Sequence, residues 1–164
     1  MKNQLTPINQ IGFFHLPNKL PKLKKLTLRI KKNEGFKNRA YKDQLGNFTI
    51  GFGHLIKKDE KQMLTKKYSK KTLNKIFIND LKLAIKKFKK YYEKDKLPNN
   101  VQEVIIEMIF QLGIRNVLMF KKFNLHIKKK EYYLAALEMI DSKWNKHTPK
   151  RVSGLISILL GFND

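Results

Sequence analysis

The chain has 164 residues, no cysteine and a formal net charge of +23, and 41% of its residues are hydrophobic. A chain of this size can form one domain that buries roughly 70% of its unfolded surface. Because 41% of the residues are hydrophobic, the chain is not a disordered basic tail. The lack of cysteine excludes disulfides and thiolate metal sites and fits folding in a reducing cytosol. The charge predicts attraction to polyanions such as nucleic acid, anionic lipid or cell-wall polymers, although general enrichment in lysine could also account for it.

Residues 1–22 are predicted to form a basic N-terminal extension, because Pro7, Pro17 and Pro21 interrupt any helix. The first 26 residues contain no apolar run of signal length, and the longer apolar stretches are broken by charges. We therefore expect neither a targeting signal nor a membrane span. A substrate outside a membrane would then require a separate protein that opens this membrane.

The folded part is predicted to begin with a helix at residue 23. Leu23, Leu26 and Ile30 recur at helical spacing, and Gly35 supplies a stop signal. Glu34 lies four residues beyond Ile30, so it is predicted in the last turn, on the apolar face of this helix.

The segment from Arg39 to His54 predicts a small β-hairpin. Residues 44–47 form a turn-like tetrapeptide, after which apolar and small or polar residues alternate. This alternation predicts one apolar face, formed by Phe48 and its neighbours at every second position, and an opposite face that carries Thr49. The polar residues 57–68 are predicted to be irregular or a short helix.

Helical patterns then continue to the end of the chain. Ser69 is the predicted N-cap of a long helix, and an apolar helix after Pro98 is predicted to end at Gly113. Further helices are predicted over residues 116–123, 130–140 and 149–160, and Thr148 is the predicted cap of the last.

The order of elements predicts an α+β protein. We expect a small sheet lobe over residues 23–68, a connecting helix over 69–97 and an all-α lobe over 98–164. A cleft between two such lobes would suit an extended ligand.

Glu34 and Asp43 are candidates for a catalytic pair of carboxylates. Cleavage of a glycosidic bond requires one carboxyl group that protonates the leaving oxygen and a second that positions water or attacks the sugar. The apolar helix face and the negative helix end favour a protonated Glu34, while neighbouring lysines oppose this. Asp43 precedes a solvated turn, and the hydroxyl of Thr49 on the returning strand could hold a water. Taken alone, such a pair among 13 acidic residues is usually two surface charges.

The surrounding motifs resemble the catalytic segment of the T-even phage lysozymes, glycoside hydrolase family 24. In that family a Glu, an Asp nine residues later and a Thr six residues further form the catalytic set, and Glu34, Asp43 and Thr49 match both spacings. The resemblance covers about residues 23–160. The motifs that carry it are Glu34-Gly35, Tyr41-Lys42-Asp43, Gly46, Thr49 to His54, Phe110-Gln111-Leu112-Gly113, and Trp144 with Thr148 to Arg151.

The resemblance implies a lysozyme-like fold and hydrolysis, with inversion, of the β-1,4 bond between N-acetylmuramic acid and N-acetylglucosamine in peptidoglycan. It implies a monomeric endolysin of the host cytoplasm that degrades the cell wall during lysis and needs no cofactor. It also implies that Leu55, Phe110, Gln111 and Arg151 contact the glycan.

Two cleft positions depart from the family pattern. Phe123 stands where the best-known member of the family has a small polar residue, and Glu138 stands where that member has an amide. We therefore expect altered contacts at these subsites, which would change the preferred chain length or peptide substitution of the substrate.

Two conspicuous residues have structural interpretations. His54 is predicted to pair with Asp80 on the inward face of the long helix, and Trp144 is predicted in the core, with sugar stacking as the alternative. The four histidines show no ligand spacing, so no metal site is expected.

The alternative function is a basic nucleic-acid-binding module, for which the charge could supply nonspecific affinity. The basic residues are spread over every segment and no nucleic-acid motif is present, so no specific nucleic-acid partner is expected. A catalytically inactive wall-binding domain is disfavoured, because Glu34, Asp43 and Thr49 are all retained.

Overall fold

The computed structural model describes residues 23–43 and 46–162. The predicted extension over residues 1–22, the first two residues of the predicted turn and the last two residues of the chain lie outside these ranges. Within them the chain forms seven α-helices and a three-stranded antiparallel sheet, which confirms the predicted α+β fold.

The elements follow one another from a helix through a small sheet to a cluster of helices. The helices are α1 (Leu23–Glu34), α2 (Lys70–Tyr92), α3 (Asn99–Met119), α4 (Lys121–Lys128), α5 (Tyr132–Ile140), α6 (Lys143–His147) and α7 (Pro149–Leu159). The strands β1 (Lys37–Lys42), β2 (Phe48–Gly51) and β3 (His54–Leu55) pair in the order β1-β2-β3, and 3-10 helices occupy Lys58–Leu64 and Glu93–Asp95. Among the described residues, no helix is both long and apolar enough to span a membrane.

Helix α1 ends where its sequence predicts, and this places Glu34 in its last turn. Leu26 and Ile30 are fully buried, which fixes the face of the helix that packs on the core. Gly35 has a φ of +69°, a left-handed conformation that favours glycine, and its N–H donates to the carbonyl oxygen of Lys31 at 3.1 Å.

The predicted hairpin is confirmed, and a third strand extends it. Strands β1 and β2 pair antiparallel with Tyr41 opposite Thr49, and the register is irregular between Lys37 and Tyr41. On the other side of β2, Thr49 lies opposite Leu55 of β3. Thr49 is therefore held on the central strand of the sheet.

Burial along β2 does not follow the alternation of apolar and small or polar residues. Phe48 is 42% exposed, whereas Thr49 is only 6% exposed and Ile50 is fully buried. The reason is that helix α2 covers the sheet: a β-carbon at Gly51 would lie 3.3 Å from Leu73 of α2. Both faces of β2 are therefore buried beyond its first residue, which adjoins the turn.

Helix α2 has the predicted N-cap and the predicted buried face. The hydroxyl of Ser69 accepts a hydrogen bond from the N–H of Thr72 at 3.1 Å. The helix ends at Tyr92, earlier than the predicted boundary at residue 97, and a 3-10 turn follows it. Its buried residues are Leu73, Phe77, Leu81, Ala84, Ile85, Phe88 and Tyr92.

The helical region after α2 differs from the prediction in three places. Gly113 is non-helical, as its stop signal predicts, and a further helical stretch follows it as predicted; this stretch ends at Met119 and α4 begins at Lys121, so the predicted bounds 116–123 are wrong. A short helix, α6, was not predicted, and Ser142 caps it by accepting from the N–H of Asn145. Thr148 occupies the predicted N-cap position of α7, but its side chain makes no capping hydrogen bond, and its hydroxyl donates to the carbonyl oxygen of Trp144.

Candidate active site

A cavity of about 940 Å³ lies between the end of α1, Asp43 at the β-hairpin and residues of α3 to α7. Glu34 and Asp43 both line it, and so do Gln111 and Arg151. Four of the residues predicted from the sequence therefore meet at one cavity, although they come from different parts of the chain.

The carboxyl group of Glu34 is held between a guanidinium group and a glycine. Nη2 of Arg151 donates to Oε1 of Glu34 at 2.7 Å, and the side chains are 8% and 18% exposed, respectively. On the other side, a β-carbon at Gly53 would lie 2.5 Å from Oε2 of Glu34, so a larger residue would displace the carboxyl group. Gly53 also has a φ of +77°, which favours glycine. The carboxyl group is thus fixed at the edge of the cavity.

The side chain of Asp43 is held by the turn of the hairpin. The backbone N–H of Asn47 donates to Oδ1 of Asp43 at 2.8 Å, and the amide Nδ2 of Asn47 donates to Oδ2 at 3.3 Å. The backbone closes the same turn, because the N–H of Asp43 donates to the carbonyl oxygen of Asn47 at 2.8 Å. These bonds orient the second carboxylate at the cavity.

Thr49 is buried next to the hairpin but does not itself line the cavity. Its hydroxyl oxygen is buried and has no hydrogen-bond partner among the described residues, although a buried hydroxyl normally has one. The oxygen is also shielded from solvent, so it is not open to the cavity in this structure.

Two predicted glycan contacts do not reach this cavity. Leu55 is 53% exposed on strand β3 and is absent from the lining. Phe110 packs against the core, where its ring centroid lies 5.5 Å from that of Phe77. Of the four predicted glycan contacts, the structure therefore brings Gln111 and Arg151 to the carboxylates and leaves Leu55 and Phe110 apart from them.

The far wall of the cavity is built around Trp144. Trp144 is 6% exposed, which confirms its core position, and its Nε1 donates to Oε1 of Gln111 at 3.0 Å. Phe123 and Glu138, the two positions that depart from the family pattern, also line the cavity. Phe123 is fully buried, so its ring fills space behind the cavity wall and presents no surface to a ligand.

His54 has the structural pairing that the sequence predicts. Its Nδ1 lies 2.7 Å from Oδ2 of Asp80, and its Nε2 lies 3.1 Å from Oε2 of Glu60. The hydrogen bond to Asp80 is the main cause that raises the pKa of His54, and burial opposes the rise. The histidine joins β3 to α2 and does not line the cavity.

The sequence interpretation missed a buried carboxylate next to the site, that of Glu107. Its side chain is fully buried, and it accepts hydrogen bonds from Nε of Arg29 and from Nδ2 of Asn33, both at 2.8 Å. Nε of Arg151 lies 3.6 Å from its Oε1. The sequence contains a signal for this residue, namely its position inside an otherwise apolar helical segment. An acidic residue in such a position requires a charged or hydrogen-bonding partner.

Two carboxylates that line one cleft are the groups that a glycoside hydrolase needs at the bond it cleaves. The family model described as phage lysozyme matches residues 31–157, so the chain belongs to the phage lysozyme family. It is therefore a lysozyme, a hydrolase whose substrate is peptidoglycan, and the resemblance seen in the sequence is confirmed.

Two curated relatives agree with this assignment. The chain is 33% identical over 152 residues to "Probable T4-type lysozyme 2" of Dictyostelium discoideum, a match that covers 79% of this chain and 89% of the relative. It is 32% identical over 153 residues to "Probable T4-type lysozyme 1" of the same organism, which covers 79% and 90%.

Proposed function

We propose that this lysozyme hydrolyses the β-1,4 bond between N-acetylmuramic acid and N-acetylglucosamine, with Glu34 as general acid and Asp43 as the base that directs water. The observation that carries the proposal is that both carboxylates line one cavity, each held by its own hydrogen bonds. Paired carboxylates at a cleft suit glycosidic cleavage, because the reaction needs an acid and a base at the same bond.

In the proposed reaction, Glu34 gives its proton to the glycosidic oxygen as the bond from this oxygen to the anomeric carbon breaks. A water adds to the anomeric carbon from the opposite face and loses a proton to Asp43, so the configuration is inverted. Thr49 assists by orienting this water, a role that rests on the family pattern, because its hydroxyl is buried and Thr49 does not line the cavity. Arg151, at 2.7 Å from Glu34, stabilises the carboxylate that Glu34 becomes after it loses its proton.

The glycan chain is proposed to run along the cavity beyond the carboxylates. Gln111 and Arg151 contact it in this proposal, and Glu138 affects which sugar or peptide substituents fit, while the buried Phe123 acts only by shaping the wall behind the cavity. Leu55 and Phe110 stay in the proposal on the family pattern alone, since neither lines this cavity.

For the biological role we propose an endolysin that acts as a monomer and degrades the host cell wall during phage lysis. The proposed enzyme is made in the host cytoplasm and reaches the wall with the help of a separate membrane-permeabilising protein. Its proposed organisation is a basic extension over residues 1–22 followed by a lysozyme domain over 23–164, and its positive charge attracts it to anionic wall polymers.

A zymogram on bacterial cell walls tests this function, with Glu34→Gln as the inactive variant. The amide keeps the shape of the side chain but has no proton to transfer, so we expect a loss of clearing activity of at least about a hundredfold. Glu93→Gln is the matched control, because Glu93 is exposed and lies outside the cavity. Clearing by Glu34→Gln at the rate of this control would remove Glu34 from the mechanism.

A further inference from the structure

We propose that Glu107 is a positioning residue for catalysis, which holds Arg151 and Asn33, and through them Glu34, in the geometry of the reaction. The inference rests on the proposed role of Glu34 as the general acid. It concerns a residue of α3 that does not itself line the cavity.

The burial of Glu107 means that specific partners must compensate its negative charge. Its side chain is fully buried, and its neighbours Ile106 and Met108 are fully buried as well. A carboxylate in such surroundings destabilises the fold unless cations and hydrogen-bond donors compensate it. An apolar residue would fill the same space without this requirement, so the partners of Glu107 indicate what it does.

Glu107 is linked to Glu34 in two ways, through Asn33 and through the side chain of Arg151. Asn33 precedes Glu34 in the chain, and its amide donates to Oε1 of Glu107 at 2.8 Å, which fixes the last turn of α1 against α3. Arg151 reaches the same oxygen with Nε at 3.6 Å while its Nη2 donates to Glu34. Glu107 therefore holds both the backbone next to Glu34 and the cation on its carboxyl group.

The charges also alternate along this cluster, in the order Arg29, Glu107, Arg151, Glu34. A general acid must be protonated before it reacts, and a protonated Glu34 no longer supplies a negative charge to Arg151. The side chain of Arg151 is only 8% exposed, so its guanidinium then needs another counter-charge. Glu107 supplies this charge throughout the reaction and keeps Arg151 ready to stabilise the carboxylate that forms.

Glu103 provides a matched control on the same helix. It lies one turn before Glu107, it is also a carboxylate, and it also pairs with Arg29, at 3.1 Å. It has no hydrogen bond or ion pair with Arg151 among the described residues. Removing the charge of Glu103 therefore removes an ion pair of Arg29 but leaves the contact between Glu107 and Arg151 intact.

The experiment compares Glu107→Gln and Glu103→Gln with the wild type on soluble peptidoglycan fragments, with kcat and KM measured separately. We expect Glu107→Gln to lower kcat by roughly tenfold or more with a smaller change in KM, because it misplaces the acid. Glu103→Gln should keep kcat within about twofold of the wild type, even if both variants lower the unfolding temperature. An unchanged kcat for Glu107→Gln, an equal loss in both variants, or a change in KM alone would overturn the proposal.

Glu107→Gln should fold, because Arg29 keeps Glu103 and Arg151 keeps Glu34 as partners. If Glu107→Gln is recovered only unfolded, the double variant Arg29→Met/Glu107→Gln is compared with the single variant Arg29→Met. We again expect the loss of Glu107 to lower kcat, and an unchanged kcat would again overturn the proposal. The wild type separates the two proposals. A wild type that cleaves walls while Glu107→Gln keeps its kcat overturns this inference alone, whereas a wild type without wall hydrolysis overturns the proposed function as well.

Discussion

His54 and Asp80 join the sheet to the long helix through a contact of 2.7 Å between Nδ1 and Oδ2. The histidine is 7% exposed and the aspartate 25% exposed, so the pair is shielded from most of the solvent. This contact raises the pKa of His54 above its ordinary value of 6.5, against the opposing effect of burial. The fold therefore gains stability from a protonated His54.

The first prediction concerns the pH dependence of this gain. A folded-state pKa above the unfolded value stabilises the protein fully below about pH 6.5, and the gain is lost as pH rises through the folded pKa. We expect Asp80→Asn to lower the thermal unfolding temperature more at about pH 5 than at about pH 9. Asp59→Asn, at an exposed aspartate, is the control for a general charge effect. An equal loss at both pH values would show that the charge of His54 does not contribute.

The second prediction separates the roles of Asp43 and Thr49. Asp43→Asn keeps an oxygen that can accept from the N–H of Asn47, so the turn should persist while the charge is lost. We expect its wall-cleaving rate to fall by at least about a hundredfold, and Thr49→Ala to lose less, because the hydroxyl only orients the water. Turbidity clearance measures both rates. A greater loss for Thr49→Ala than for Asp43→Asn would reverse the assigned roles.

The third prediction is that Thr49→Val makes the protein more stable and less active. The substitution removes a buried hydroxyl that has no partner among the described residues, and valine suits a central strand. We expect the free energy of unfolding to rise by roughly 1 kcal/mol, since an unsatisfied buried polar group costs about 1–3 kcal/mol. Denaturant unfolding and turbidity clearance give the two values. A loss of stability would mean that the hydroxyl is already satisfied in the folded protein.

Much of the fold follows from local signals in the sequence. The left-handed Gly35 ends α1, and the hydroxyl of Ser69 begins α2. The pairing of His54 with Asp80 was predictable because the helical period places Asp80 on the inward face of α2. Such features depend on residues near one another in the chain, or on one clear periodic pattern.

The features that the sequence did not predict depend on contacts that no local pattern specifies. Thr49 is buried because α2, which follows later in the chain, covers the sheet. Glu107 is linked to Arg29 and Asn33, which lie 78 and 74 positions away, and its role depends on three elements that meet at one point. Sequence spacing could indicate the catalytic pair through the family resemblance, but it could not reveal the residues that hold this pair in place.

The fourth prediction concerns the net charge of +23. Exposed lysines recur at helical spacing along the outer side of α2, and a polyanionic wall should attract them. These lysines are Lys71, Lys75, Lys82, Lys86 and Lys90. We expect added salt to slow cleavage of whole cell walls more than cleavage of short soluble fragments, because about 0.1 M salt screens charges beyond about 10 Å.

Lys82→Glu/Lys86→Glu/Lys90→Glu provides the matched test of this attraction. The triple variant should lose activity on cell walls at low salt and keep its activity on soluble fragments, since these lysines do not line the cavity. Equal salt dependence on both substrates would show that the charge does not concentrate the enzyme at the wall.

The stereochemistry of the product shows whether Glu34 and Asp43 direct water to the anomeric carbon. Inversion needs room for a water between the carboxyl groups, about 6.5–9.5 Å apart, whereas a retaining pair is about 5–5.5 Å apart. Proton NMR of the products, recorded before mutarotation, identifies the first reducing end that forms. We expect an α-anomeric reducing end, because inversion at a β-linked sugar gives the α-anomer. An initial β-anomer, from a covalent intermediate on Asp43, or an anhydro-sugar end, formed without water, would contradict it.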